Sequence, residues 1–99
     1  MRSIKKYVEA IEEELEGAKD YAEKAVEAKA KGDMEKASRY KEMANDELKH
    51  MSYLHSWAVA EIEAISKVFK PPVDMQEKWD KAHAKYVEEA AWIKQMLAM

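Results

Sequence analysis

The chain has no cysteine among its 99 residues. This absence excludes disulfides, thiolate metal sites and thiol catalysis. Any metal ion would have to be held by oxygen and imidazole ligands, which leaves Glu, Asp and His as candidates.

The sequence also lacks a surplus of positive charge and any long apolar run. Its formal net charge is −3 and its pI is about 5.7, whereas nucleic acids and anionic membranes attract a surplus of Lys and Arg. The first residues contain no continuous apolar segment of the kind found in signal peptides, and no stretch approaches the roughly 20 apolar residues of a membrane span. We expect a soluble, cytoplasmic, single-domain protein over residues 1–99, with neither nucleic acid nor membrane as a partner.

Glycine and proline are scarce, with two residues of each, which is typical of a helical protein. Gly32 followed by Asp33 predicts a helix end and then an N-cap. Pro71 and Pro72 predict a second break. Helices are therefore predicted at about 3–31, 34–69 and 74–97.

The third helix carries its own start signal. Asp74 followed by Glu77 resembles a capping box, in which the two side chains bond backbone N–H groups at the helix start. We therefore expect Asp74 to be the N-cap of the third helix.

Each predicted helix has an apolar stripe at the helical period, which indicates an all-α fold. The short turn at Gly32 predicts that the first two helices form an antiparallel hairpin, to which the third helix is added. The stripes comprise Ile4, Val8, Ile11, Leu15, Ala18, Ala22 and Ala25; then Ala37, Tyr40, Ala44, Leu48, Met51, Leu54, Ala58, Ile62, Ile65 and Phe69; then Trp79, Ala82, Tyr86, Ala90, Ile93 and Leu97.

Three polar residues interrupt the stripes of the hairpin. Glu14 lies within the first stripe, and Glu47 and His50 lie one turn apart in the second. Glu14 is 18 residues before Gly32 and His50 is 18 residues after it, so the hairpin should bring them to one height. A carboxylate in an apolar seam is costly unless it is paired or bound to metal. The three residues are therefore predicted to form a polar cluster that could hold a metal ion.

These residues resemble the metal-ligand pattern of the ferritin-like superfamily. The segments "EELEGAKDYAEKA" and "ASRYKEMANDELKHMSYL" are similar to the first helix pair of rubrerythrins and bacterioferritins. The pattern consists of a ligand Glu (Glu14), a Tyr two turns later (Tyr21) and a Glu-x-x-His motif (Glu47, His50). The "EELE…Y" helix also resembles that of the encapsulated ferritins, which are short proteins.

The resemblance implies a di-iron carboxylate site. Glu14 would be a terminal ligand, Glu47 a bridging carboxylate and His50 a terminal nitrogen ligand, while Tyr21 would assist catalysis by a hydrogen bond or as an electron donor. The superfamily builds such a site from two Glu helices and two Glu-x-x-His helices. This chain supplies one half, so a homodimer or higher homo-oligomer would complete the four-helix bundle. Iron is implied by the family, and Mn or Zn would suit the same ligands.

The implied function is oxidation of Fe(II), or reduction of O2 or peroxide, at a site shared by two subunits. Two alternatives stay open: a metal-binding protein without turnover, and a metal-free helical adaptor that uses its Met-rich apolar stripe as an interaction surface. Two other histidines have structural interpretations. We expect His83 to be a core residue hydrogen-bonded to a carboxylate or a carbonyl, with a supplementary ligand pair of His83 and Asp80 as the alternative. We expect His55 to pack near the edge of the seam or to lie next to the metal ligands.

Overall fold

The computed structural model describes residues 2–68, 70 and 72–99, and these residues contain three α-helices and no strand. The helices are α1 (Arg2–Ala30), α2 (Met34–Ser66) and α3 (Val73–Ala98). They form an elongated bundle of 55 × 18 × 17 Å. The predicted all-α fold is confirmed.

The turn between α1 and α2 follows the sequence signals. Gly32 has a φ of +80°, a left-handed conformation that favours glycine. Its N–H donates to the Lys29 carbonyl at 3.0 Å and the Asp33 N–H donates to the Ala28 carbonyl at 2.9 Å, which is the Schellman arrangement of a helix C-terminus. The Asp33 carboxylate then accepts from the Lys36 N–H at 3.1 Å and caps α2.

The second break differs from the prediction. α2 ends at Ser66, before the predicted end at Phe69, because the Val68 N–H turns back to the Ile65 carbonyl at 3.0 Å. Phe69 and Pro71 lie outside the described residues.

The capping box predicted for α3 was wrong. Pro72 is the N-cap, without a side-chain cap bond, and Asp74 already lies in the first turn. The backbone of Pro72 is held at φ −57° and ψ 141°, and its carbonyl accepts from the Gln76 N–H at 3.1 Å. The N-cap is therefore Pro72, two residues before Asp74, the N-cap that the carboxylate signal indicated.

The core lies along α1, which packs against both other helices. Lys29 Nζ donates to the Met99 carbonyl, so the C-terminal ends of α1 and α3 meet and the two helices run in the same direction. The largest side chains with almost no exposure are Ile4, Met51 and Ile93, one from each helix. The chain is thus a three-helix bundle in which α3 packs beside α1 of the α1–α2 hairpin.

Most stripe positions are buried or half-buried, as the periodicity predicts. The buried core residues are Ile4, Ile11, Leu15, Ala18, Ala22, Ala25, Ala28, Ala37, Ala44, Leu48, Met51, Ala58, Met75, Trp79, Ala90, Ile93 and Leu97. Several of these are alanines at the α1–α2 contact, where small side chains let the two helices approach closely. In the described part of the chain, no helix combines the length and the apolar character needed to cross a membrane.

Candidate metal centre

Glu14, Glu47 and His50 come together at one height of the α1–α2 hairpin. His50 Nδ1 lies 3.4 Å from Glu14 Oε2 and 4.0 Å from Glu47 Oε1. One potential ligand atom from each residue lies within 4.8 Å of the other two. The geometry predicted from the distance of each residue to Gly32 is therefore confirmed, while the role of the residues as ligands stays a prediction.

The local helix geometry aims the two α2 side chains at α1. Residues three apart on a helix share a face, so Glu47 and His50 project toward the same point. That face meets α1 at Glu14. Ala18 and Ala44 are both fully buried in the same core cluster, and such small side chains are compatible with the close helix approach that this convergence needs.

Gly17 makes room for one of the carboxylates. A Cβ atom at this position would lie 3.1 Å from Glu47 Oε2, which is tighter than ordinary van der Waals contact. A glycine in a helix interior costs roughly 1 kcal/mol relative to alanine. The glycine thus allows the Glu47 carboxylate to lie against the backbone of α1, one turn from Glu14.

The two carboxylates perturb each other in this arrangement. A hydrogen bond with Glu14, then burial, then the negative charge of Glu14 raise the pKa of Glu47 to about 7, while the positive charge of His50 acts in the opposite direction. Without a cation, Glu47 therefore keeps its proton to a higher pH than an ordinary glutamate does. A divalent cation could replace that proton and neutralise both charges.

The cluster opens to solvent on the side of the hairpin that we call the open flank, defined by Glu14, Gly17, Glu47 and His50. The exposed fractions of the side chains are 28% for Glu14, 26% for Glu47 and 53% for His50. The site is therefore accessible to an ion, and it has room for ligands beyond those of one chain.

Apolar side chains continue the open flank along α2. Met43 lies one turn before Glu47 and Trp57 lies two turns after His50, which puts them on the same helix face. Met43 is 40% exposed and Trp57 is 59% exposed. The polar cluster is thus bordered by apolar groups that face solvent.

Tyr21 lies two turns beyond Glu14 on α1, where it packs against another aromatic residue. Its ring stacks on Tyr40 with 6.3 Å between centroids, and Lys24 Nζ lies 5.9 Å from both ring centroids. Among the described residues, no hydrogen bond from Tyr21 to a carboxylate of the cluster is seen. The proposed catalytic role of Tyr21 stays a prediction.

The interpretation of His83 as a core residue bonded to a carboxylate or a carbonyl was wrong. His83 is exposed and its Nδ1 lies 2.8 Å from Nε2 of His55, whereas Asp80 accepts from Gln76 at 3.0 Å. His83 is bonded to His55 because the two side chains meet across the contact between α2 and α3. The spacing of residues within α3 does not reveal a contact with another helix. Sequence spacing gave no signal for the contact between His55 and His83, because the predicted break at Pro71 and Pro72 does not fix the register of α3 against α2.

Comparison of the chain with protein-family models, curated proteins and solved structures gave no match. The ferritin-like resemblance therefore has no support beyond the motif residues and their arrangement.

Proposed function

We propose that this protein is a ferritin-like carboxylate metalloprotein that binds iron through Glu14, Glu47 and His50 and oxidises Fe(II), or reduces O2 or peroxide, at a site shared by two copies of the chain. The observation that carries the proposal is the convergence of two carboxylates and one imidazole within 4.8 Å.

The donor set fits the proposed metal. Carboxylate and imidazole ligands suit Fe, and also Mn and Zn. The space at Gly17 lets the Glu47 carboxylate lie close to α1, and the raised pKa of Glu47 shows that Glu14 disfavours its negative charge. A bound cation would relieve that repulsion, which supports the fit.

One chain supplies half of a di-metal site. In the proposed dimer, the open flanks of two hairpins face each other and form a four-helix bundle, with two Glu helices and two Glu-x-x-His helices around the site. The exposed Met43 and Trp57 support this arrangement, since dimerisation would cover apolar groups next to the ligands. α3 would stay on the outside of that bundle.

Bound iron would supply the capacity to exchange electrons with dioxygen or peroxide. In this proposal Glu14 and His50 bind and orient the metal from opposite helices, and Glu47 releases its proton when the metal binds. In the proposed reaction, two Fe(II) ions as substrate would each lose one electron. One O2 would take up the two electrons and two protons to give H2O2, or one H2O2 would take them up to give two water molecules. Tyr21 would act near the site as an electron donor or as a positioning group.

A metal-free interaction module is the second candidate function. It is favoured by the exposed large side chains of α2, namely Met43, Tyr53 and Trp57. An adaptor would use this surface for a partner helix, and the polar cluster would then have no ligand role.

Metal analysis followed by an oxidation assay separates these functions. Purified protein is reconstituted anaerobically with Fe(II), desalted and analysed for iron, and Fe(II) oxidation in air is then followed by absorbance. We expect about one iron per chain, with binding and oxidation lost in Glu47→Ala and kept in the matched surface variant Glu42→Ala.

The two assays have distinct consequences. Iron binding without faster oxidation than in Glu47→Ala would contradict the enzymatic part of the proposal. Failure to bind Fe or Mn in such a reconstitution would contradict the metal site and leave the adaptor function.

A further inference from the structure

A second cluster of metal-ligating side chains lies between α2 and α3. Nε2 of His55 and Nδ1 of His83 are 2.8 Å apart. At roughly 100° per residue, His55 lies about 140° around α2 from His50. The histidine pair therefore faces α3 and is separate from the open flank.

Aromatic neighbours hold the two imidazole rings in place. The ring of His55 lies 5.3 Å from that of Trp79 and stacks on Tyr86 at 5.2 Å. Trp79 also stacks on His83 at 6.2 Å. These contacts restrict mainly the ring of His55, so the pair has a lower ordering cost than two mobile surface histidines would have, while the exposed His83 can still adjust.

The pair is accessible and offers nitrogen donors. His55 is half-buried and His83 is exposed, so an ion and its water ligands can reach the nitrogens from the solvent side. Asp80, the nearest carboxylate in the sequence, is engaged by Gln76.

The two nitrogens could bind one ion if they moved slightly further apart. Zinc binds imidazole nitrogen at about 2.0–2.1 Å with tetrahedral geometry, so two such nitrogens lie roughly 3.3 Å apart. The rings would have to separate by about 0.5 Å from their hydrogen-bonded positions, which a rotation of the exposed His83 side chain can provide.

We propose that His55 and His83 form a second metal site, which binds an imidazole-preferring divalent ion such as Zn²⁺ or Cu²⁺ and links α3 to α2. This site does not depend on the function proposed for Glu14, Glu47 and His50. Its ligands are 28 positions apart in the chain, so the ion binds the folded state preferentially and stabilises it.

Zn²⁺ titration of the full chain, followed by nitrogen NMR of the imidazole rings, tests this site atom by atom. The expected result is zinc coordination at Nε2 of His55 and Nδ1 of His83, together with a higher melting temperature. Mg²⁺, which prefers oxygen ligands, should leave both resonances unchanged.

Two single substitutions separate this site from the carboxylate cluster. His83→Gln should abolish the zinc-dependent shift of the His55 resonance and the part of the melting-temperature increase that depends on the pair. His50→Gln should keep both effects. Because His83 is exposed, its replacement is expected to leave the helical circular dichroism unchanged.

Several results would overturn the site. These are the absence of zinc-dependent shifts at His55 and His83, coordination through other ring nitrogens, and the same zinc stoichiometry and stabilisation in His83→Gln as in wild type. Loss of the effects in His50→Gln with His83 intact would assign the zinc to the carboxylate cluster and also contradict the proposal.

Discussion

His50 Nδ1 lies 3.4 Å from Glu14 Oε2, although the two residues are 36 positions apart in the chain. The contact exists because Gly32 reverses the chain and because Gly17 leaves space for Glu47 beside Glu14. Gly32 thus allows the turn between α1 and α2, and Gly17 allows the Glu47 carboxylate to approach α1.

Alanine substitutions distinguish the role of Gly32 in the turn from that of Gly17 in the site. Gly32→Ala should lower the free energy of unfolding by about 1 kcal/mol, because a side chain is strained at positive φ. Gly17→Ala should increase stability by up to about 1 kcal/mol through helix propensity, since the flexible end of Glu47 can move by a few tenths of an ångström. The same movement should weaken metal binding. Urea unfolding and metal titration of both variants measure these effects, and unchanged metal affinity in Gly17→Ala would argue against the proposed ligand position.

Glu47→Gln should stabilise the metal-free protein above neutral pH. The raised pKa of Glu47, about 7, means that its favourable contribution is complete at low pH and is lost as the pH rises from about 4.5 through 7. Gln keeps a neutral side chain there, so we expect a gain on the order of 1 kcal/mol at pH values above 7 and little change near pH 4. Urea unfolding of chelator-treated protein at both pH values measures this gain, and metal titration should show that the variant no longer binds. A variant that binds metal as wild type does would exclude Glu47 as a ligand.

His55 should make stability fall in acid. Burial and the charge of His83 lower the pKa of His55 in the folded state, so the unfolded chain binds the proton more readily. The contribution of His55 is therefore present at neutral pH and is lost as the pH falls below about 6.5. The difference in unfolding free energy between wild type and His55→Gln should therefore shrink as the pH falls over this range. Glu47 is present in both proteins, so its opposite pH dependence cancels in the difference. A difference independent of pH would mean that His55 has an ordinary pKa.

Trp57→Lys should reduce association of the chain while leaving the helices intact. Trp57 is 59% exposed on the open flank, whereas Trp92, on α3, is 57% exposed and provides a matched control. Light scattering of metal-loaded protein should show dimers for wild type and Trp92→Lys, and monomers for Trp57→Lys. The opposite pattern would indicate that the dimer uses α3.

The sequence predicts the hairpin and its polar cluster because a tight turn fixes the register of the two helices. Glu14 and His50 lie at equal distances from Gly32, and the helical period then determines which side chains meet. No such rule fixed the position of α3, since the second break has no glycine turn. The contact between His55 and His83 depends on the packing of Trp79 and Tyr86, which the spacing within each helix does not show.

Anomalous scattering from crystals grown with Fe(II) or Mn(II) tests the central claim most directly. The proposed site predicts two metal ions about 3.5–4 Å apart, on a two-fold axis between the Glu47 carboxylates of two chains, with Glu14 and His50 of each chain as further ligands. Metal-soaked crystals in which Glu14, Glu47 and His50 hold no ion, or in which one chain alone holds a single ion, would contradict it.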